Sequence, residues 1–163
     1  MGLIISIRPE RPADRRAVHR VLAAAFPTAA EADLVDRLRE VVSSRISLVA
    51  EVDGLVVGHI LFTPVTLRHA DTTTHAVGLA PMAVEPAHQR QGIGSNLVLA
   101  GLDACSRRGD ELVFVVGHPD FYPRFGFVPA APRGFHYIDA GFDPYLFVTE
   151  LAHGALDGRR GWI

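Results

Sequence analysis

The stretch Gln89-Arg90-Gln91-Gly92-Ile93-Gly94-Ser95 stands where an apolar strand pattern gives way to a helical one, and such a junction can hold an anion. A helix start leaves four backbone N–H groups without intrahelical partners, and the macrodipole adds about half a positive charge there. Glycines let a ligand come close to that backbone. Such a site is suited to a pyrophosphate held by main-chain amides, with Arg90 as an added side-chain donor, whereas Gly-x-Gly by itself favours a plain strand-to-helix turn. Two other phosphate-binding designs fail on residue type. The dinucleotide fingerprint Gly-x-Gly-x-x-Gly needs a glycine where Leu97 stands. The P-loop needs a lysine, and all 16 basic residues of this chain are arginine. A lysine Schiff base and the strand lysine of a protein kinase are excluded by the same absence.

The elements that must position this junction follow from hydrophobic period. A first strand, Leu3–Arg8, ends at Pro9. Pro12 and Asp14 then open a helix with Val18, Val21, Leu22 and Ala25 on one face. A second helix starts near Ala30, its stripe running through Leu34, Val35, Leu38, Val41 and Val42. Strands Ile46–Val52 and Leu55–Leu67 flank Asp53-Gly54, a strong hairpin signal because the turn needs positive φ. A polar turn, Arg68–Thr74, leads to a strand at His75–Glu85, completing an antiparallel meander. Helical spacing returns at Ile93, Leu97, Ala100 and Ala104, and Leu112–Val116 has the length of a fully buried strand. A short aromatic segment, Asp120–Phe125, a Gly/Pro-rich loop to Pro144 and a last strand, Tyr145–Leu151, complete the order. The expected fold is α/β (α+β), a mixed sheet with helices on its faces.

Composition narrows the partners. The 163 residues suit a single domain spanning 1–163, with no linker or repeat. A net charge of −2 argues against a nucleic-acid binder, whose affinity rests on clustered positive charge. No apolar run reaches the roughly 18 residues of a membrane span, and no signal-peptide pattern is present, so a cytoplasmic location is expected. The eight histidines show no metal-ligand spacing, and the single cysteine, Cys105, is expected as a buried small hydrophobe.

The junction also resembles the signature of the GNAT superfamily of N-acetyltransferases, Gln/Arg-x-x-Gly-x-Gly/Ala after a strand ending in Val-x-Pro. Gln89, Gly92 and Gly94 satisfy the first part, and Val84 and Pro86 the second. The family's tyrosine four residues before Gly-Phe is matched in Phe121-Tyr122-Pro123-Arg124-Phe125-Gly126-Phe127. Together with the tail Gly154-Ala155-Leu156-x-Gly158, this block is similar to a branch of small bacterial predicted acetyltransferases. The resemblance implies a mostly antiparallel central sheet and acetyl-CoA lying in an opening between strands His75–Glu85 and Leu112–Val116. It also implies a pantetheine arm paired with Met82, Ala83 and Val84, and a pyrophosphate on the amides of Gln89, Arg90, Gln91, Gly92, Ile93, Gly94 and Ser95. The acceptor would be a primary amine of a small molecule or peptide. Small members of the family often dimerise, which makes a homodimer a prior.

For mechanism, the resemblance puts the general acid at Tyr122. The base is open. Gly78 occupies the position where some members carry a glutamate, leaving Glu85, His118, His75 and Asp120 as candidates. His118 follows the buried strand directly, and imidazole titrates in the useful range. Acceptor recognition is expected from Phe26–Ala30 and Arg133–Asp139, the latter with aromatic bodies and polar tips. The competing expectation is a non-catalytic acyl-CoA-binding or sensor module, which Gly78 keeps open.

Overall fold

Positive φ at Asp53 (50°) and Gly54 (80°) gives the two-residue turn that the Asp-Gly pair predicts. The strands it joins belong to a mixed, mostly antiparallel sheet with helices. The computed structural model describes residues 2–163. Its elements are β1 (Ile5–Pro9), α1 (Arg15–Ala25), α2 (Ala30–Val41), β2 (Ile46–Val52), β3 (Leu55–His69), β4 (Thr72–Val84) and α3 (Ile93–Arg108). They are followed by β5 (Leu112–Val116), β6 (Val128–Pro129), β7 (Phe135–His136), β8 (Leu146–Glu150) and β9 (Gly161–Trp162). Among the described residues no helix is long and apolar enough to cross a membrane.

The chain forms two units, and β3, β4 and α3 contribute residues to both. The first unit comprises the described residues up to 62 and residues 81–101. In it β1 pairs antiparallel with β2, and β2 with β3. Val18, Val21 and Leu22 of α1 and Ala32 and Val35 of α2 pack with Val49, Val56, Leu61 and Ala83 of the strands. Beside this apolar core lies a buried charged cluster. Arg39 bonds both Glu10 and Asp36, and the Ser47 hydroxyl donates to Glu10. The Nε2 of His59 is 2.9 Å from that hydroxyl, and burial pushes the His59 pKa down to about 4.

The second unit comprises residues 63–80 and 102–163. In it β5 pairs parallel with β4 and antiparallel with β8, which also carries β6. Leu67, Ala76, Leu112, Phe114, Phe135, Leu146 and Val148 form its core.

Four features depart from expectation. In α2 Ala32 and Val35 are the buried residues, whereas Leu34 and Val41 of the expected stripe are exposed. The polar turn at Arg68–Thr74 shrinks to Ala70 and Asp71, because β3 runs to His69 and β4 begins at Thr72. Ala70 itself takes the left-handed conformation (φ 50°), so no glycine marks that turn. The region 129–144 is not a plain loop but holds β7 and two 3-10 turns. The C-terminal β9 was not expected at all; it pairs with β7 and, through Trp162, with Arg68 of β3.

Candidate active site

In the first unit β4 ends at Val84, and Pro86–His88 makes one 3-10 turn before α3. The Gln89 side chain turns back and donates from Nε2 to the Val84 carbonyl at 3.0 Å, while its N–H goes to Pro86 O. Gln89 therefore fastens the loop to the strand end, and the amides beyond it are left for a ligand. Two residues of the loop are left-handed, Arg90 (φ 61°) and Gly92 (φ 83°). For an arginine that conformation costs about 1–2 kcal/mol, and residues held that way cluster at ligand clamps. The Gly92 carbonyl accepts the Asn96 N–H at 3.0 Å, which starts the helix and leaves the amides of Ile93, Gly94 and Ser95 at its open end. A Cβ on Gly92 would meet nothing within 4 Å, so the space in front of the loop is open. An anion fits this cradle of main-chain amides and dipole.

Met82, Ala83, Val84 and Glu85 adjoin the loop, and the Glu85 N–H bonds the Val57 carbonyl at 2.8 Å. The Glu85 carboxylate is flanked by His88 Nδ1 at 3.3 Å and Arg20 Nε at 3.8 Å. On the same unit His19 of α1 meets Asp33 and Asp36 of α2 at 3.3 and 3.8 Å. That grouping joins two helices, which sequence spacing could not reveal.

In the second unit β4 and β5 pair only at Val77↔Val113 and Gly78↔Phe114, so among the described residues Leu79 and Ala80 have no β5 partner. A Cβ on Gly78 would lie 2.9 Å from Val65 Cγ1. A glutamate here would first have to displace a core side chain. Tyr122 and His118 come together in this unit: the His118 carbonyl accepts the Phe121 N–H (3.2 Å) and the Tyr122 N–H (3.5 Å). The Tyr122 ring is buried edge-on between Phe121 and Phe127 and lies against Gly117, where a Cβ would be 2.2 Å from it. Burial pushes the phenol up to about 12, so it carries its proton at neutral pH and can donate it. His118 and Asp120 are exposed on the turn after β5, whereas His75 is exposed near the start of β4. Cys105 is fully buried, and burial raises its thiol to about 12.

The chain is similar in sequence and fold to known proteins. The family described as acetyltransferase (GNAT) domain matches residues 6–130. The chain is 37% identical to the uncharacterized N-acetyltransferase YhbS of Escherichia coli K12 over 158 residues, covering 96% of this chain and 93% of that one. It superposes on the crystal structure of Escherichia coli YhbS in complex with CoA with a TM-score of 0.92 at 35% identity, covering 99% of this chain and 89% of that one. A GNAT family acetyltransferase from Brucella melitensis in complex with acetyl-CoA matches with a TM-score of 0.78 at 31% identity, covering 97% and 93%.

Proposed function

The chain belongs to the GNAT acetyltransferase family, and from that premise we propose that it acts as one N-acetyltransferase domain, moving the acetyl group of acetyl-CoA to a primary amine by direct attack. The observation that carries this reading is the loop Gln89–Ser95, whose left-handed turns at Arg90 and Gly92 open the amides of α3. Those amides take the pyrophosphate, and Arg90 adds charge to it. That Leu79 and Ala80 of β4 have no β5 partner supports a pantetheine arm pairing farther along the strand with Met82, Ala83 and Val84.

The acceptor nitrogen attacks the thioester carbonyl carbon, a C–N bond forms, and the C–S bond breaks. An alkylamine of pKa about 10.4 is neutral in roughly one molecule in 10³ at pH 7, so its proton must leave to a base or through water. Glu85 and His118 are the candidates. Tyr122 gives its proton to the departing thiolate, so the products are CoA and the N-acetylated amine. Thiol release from acetyl-CoA across amines, amino acids, aminoglycosides and peptides tests the proposal. Turnover that falls sharply in Tyr122→Phe is expected. Tight acetyl-CoA binding with no turnover anywhere would favour the sensor reading instead.

A further inference from the structure

The pair Gly78↔Phe114 marks where β4 and β5 part. Side chains along a strand alternate between faces, and directly opposed residues of an antiparallel pair share a face. Leu112 and Phe114 lie in the cluster with Phe135, Leu146 and Val148. Val116, opposite Leu146, points to that same face, yet it is 39% exposed. The next residue, Gly117, faces the other way, toward the Tyr122 ring. The phenol and the open Val116 side chain thus stand on opposite faces of one strand end, just past the last β4–β5 pair.

The margin on the Val116 side is aromatic. The 3-10 turn Ala140–Tyr145 packs on the end of β5, and its Tyr145 carbonyl accepts the Gly117 N–H at 3.0 Å. Phe142 on that turn is 46% exposed and meets the edge of Tyr137 at 5.6 Å between ring centroids. Tyr137 in turn packs on the cluster containing Phe114 and Phe135. Aromatic surface therefore runs from the core to solvent beside the parting of the strands. Of its two carboxylates, Asp143 is held through both oxygens, and the exposed Asp139 through one. Asp139 accepts the Gly141 N–H at 3.0 Å, and Asp143 accepts from His136 Nδ1 at 2.7 Å and the Tyr137 N–H at 2.8 Å.

We propose that Val116, Tyr137 and Phe142 receive the acceptor, and that its amine is carried on an aromatic or extended apolar group. A polyamine or aminoglycoside would need several free carboxylates to replace the water around its ammonium groups, and this margin offers one partly engaged carboxylate, Asp139, beside apolar area. The assignment rests on the N-acetyltransferase reading given above.

Its test compares 2-phenylethylamine, propylamine and spermidine as acceptors in the wild type and in Phe142→Ala. The aromatic amine should have the highest kcat/KM, by about tenfold, and Phe142→Ala should remove that preference while acetyl-CoA KM stays within about twofold. Preference for spermidine, or a preference that survives Phe142→Ala, overturns the assignment and leaves the acetyltransferase reading standing. A solution dimer that Phe142→Ala dissolves overturns it too, because the face is then an interface. If none of the three amines turns over, the wider acceptor panel decides the catalytic reading, and saturation-transfer NMR of 2-phenylethylamine on the CoA-loaded protein decides the site. Transfer to the ring protons that disappears in Phe142→Ala supports it, and absence of transfer overturns it.

Discussion

The ring of Tyr122 occupies the space that a side chain on Gly117 would need: a Cβ there would stand 2.2 Å from Cε2 and 2.8 Å from Cδ2. Glycine at the end of β5 is thus a condition for the phenol's position. Gly117→Ala should push the ring aside and lower kcat while acetyl-CoA KM changes little. Tyr122→Phe, which keeps the packing and removes only the proton, should cost about 10²-fold in kcat or more. Steady-state kinetics on both variants checks this, and an unchanged kcat in Tyr122→Phe would remove the phenol from the mechanism.

The amide loop makes a second prediction. At Gly92 there is room for a Cβ, but φ is 83°, so Gly92→Ala should cost about 1–2 kcal/mol of stability through the backbone alone. Gly92→Glu adds a carboxylate at the proposed pyrophosphate site and should abolish acetyl-CoA binding. Calorimetric titration distinguishes the two, and wild-type affinity in Gly92→Glu would refute the placement.

His59 sets a pH dependence. Its pKa is about 4 in the folded protein and about 6.5 in the unfolded chain, because the buried ring cannot take up charge. The unfolded state therefore binds more protons between these values, and stability rises with pH across that window. It is fully present above pH about 6.5, and about 3 kcal/mol is lost as the pH falls to about 4. Denaturant melts at pH 7, 5.5 and 4.5 should show this slope, flattened in His59→Gln.

Gly101 of α3 touches Phe62. Alanine is favoured over glycine inside a helix by about 1 kcal/mol. Here, however, a Cβ would lie 2.1 Å from Phe62 Cε2, and overpacking a core costs about 1–3 kcal/mol. Gly101→Ala should therefore destabilise despite its propensity, and a double-mutant cycle with Phe62→Leu should recover part of the loss. A stabilised Gly101→Ala would mean the ring yields freely.

Local chemistry was legible in the sequence wherever it repeats at short range. The Asp53-Gly54 turn, the stripe of α1 and the strand-to-helix junction before Ile93 each depend on residues within a few positions of one another. Pairing between distant residues was not legible. Glu10 follows β1, and Arg39, Ser47 and His59 come from three separate elements, so nothing in their local pattern announces a buried charge cluster. The strand at Gly161–Trp162 is two residues long, and only its partners at Phe135, His136 and Arg68 define it. For the site, the amide loop was legible as a motif. Gly117 was not, because its role is to be absent beneath a ring five residues away.

The buried cysteine bears on how the enzyme can be studied. With its thiol raised to about 12 and no exposure, Cys105 contributes about one thiolate in 10⁴ at pH 8, and even that is shielded. A disulfide reagent added to the reaction therefore reports released CoA against a blank background, continuously and without quenching. The same silence makes Phe142→Cys a solitary reactive thiol, so a label attached there would report on the proposed acceptor face alone.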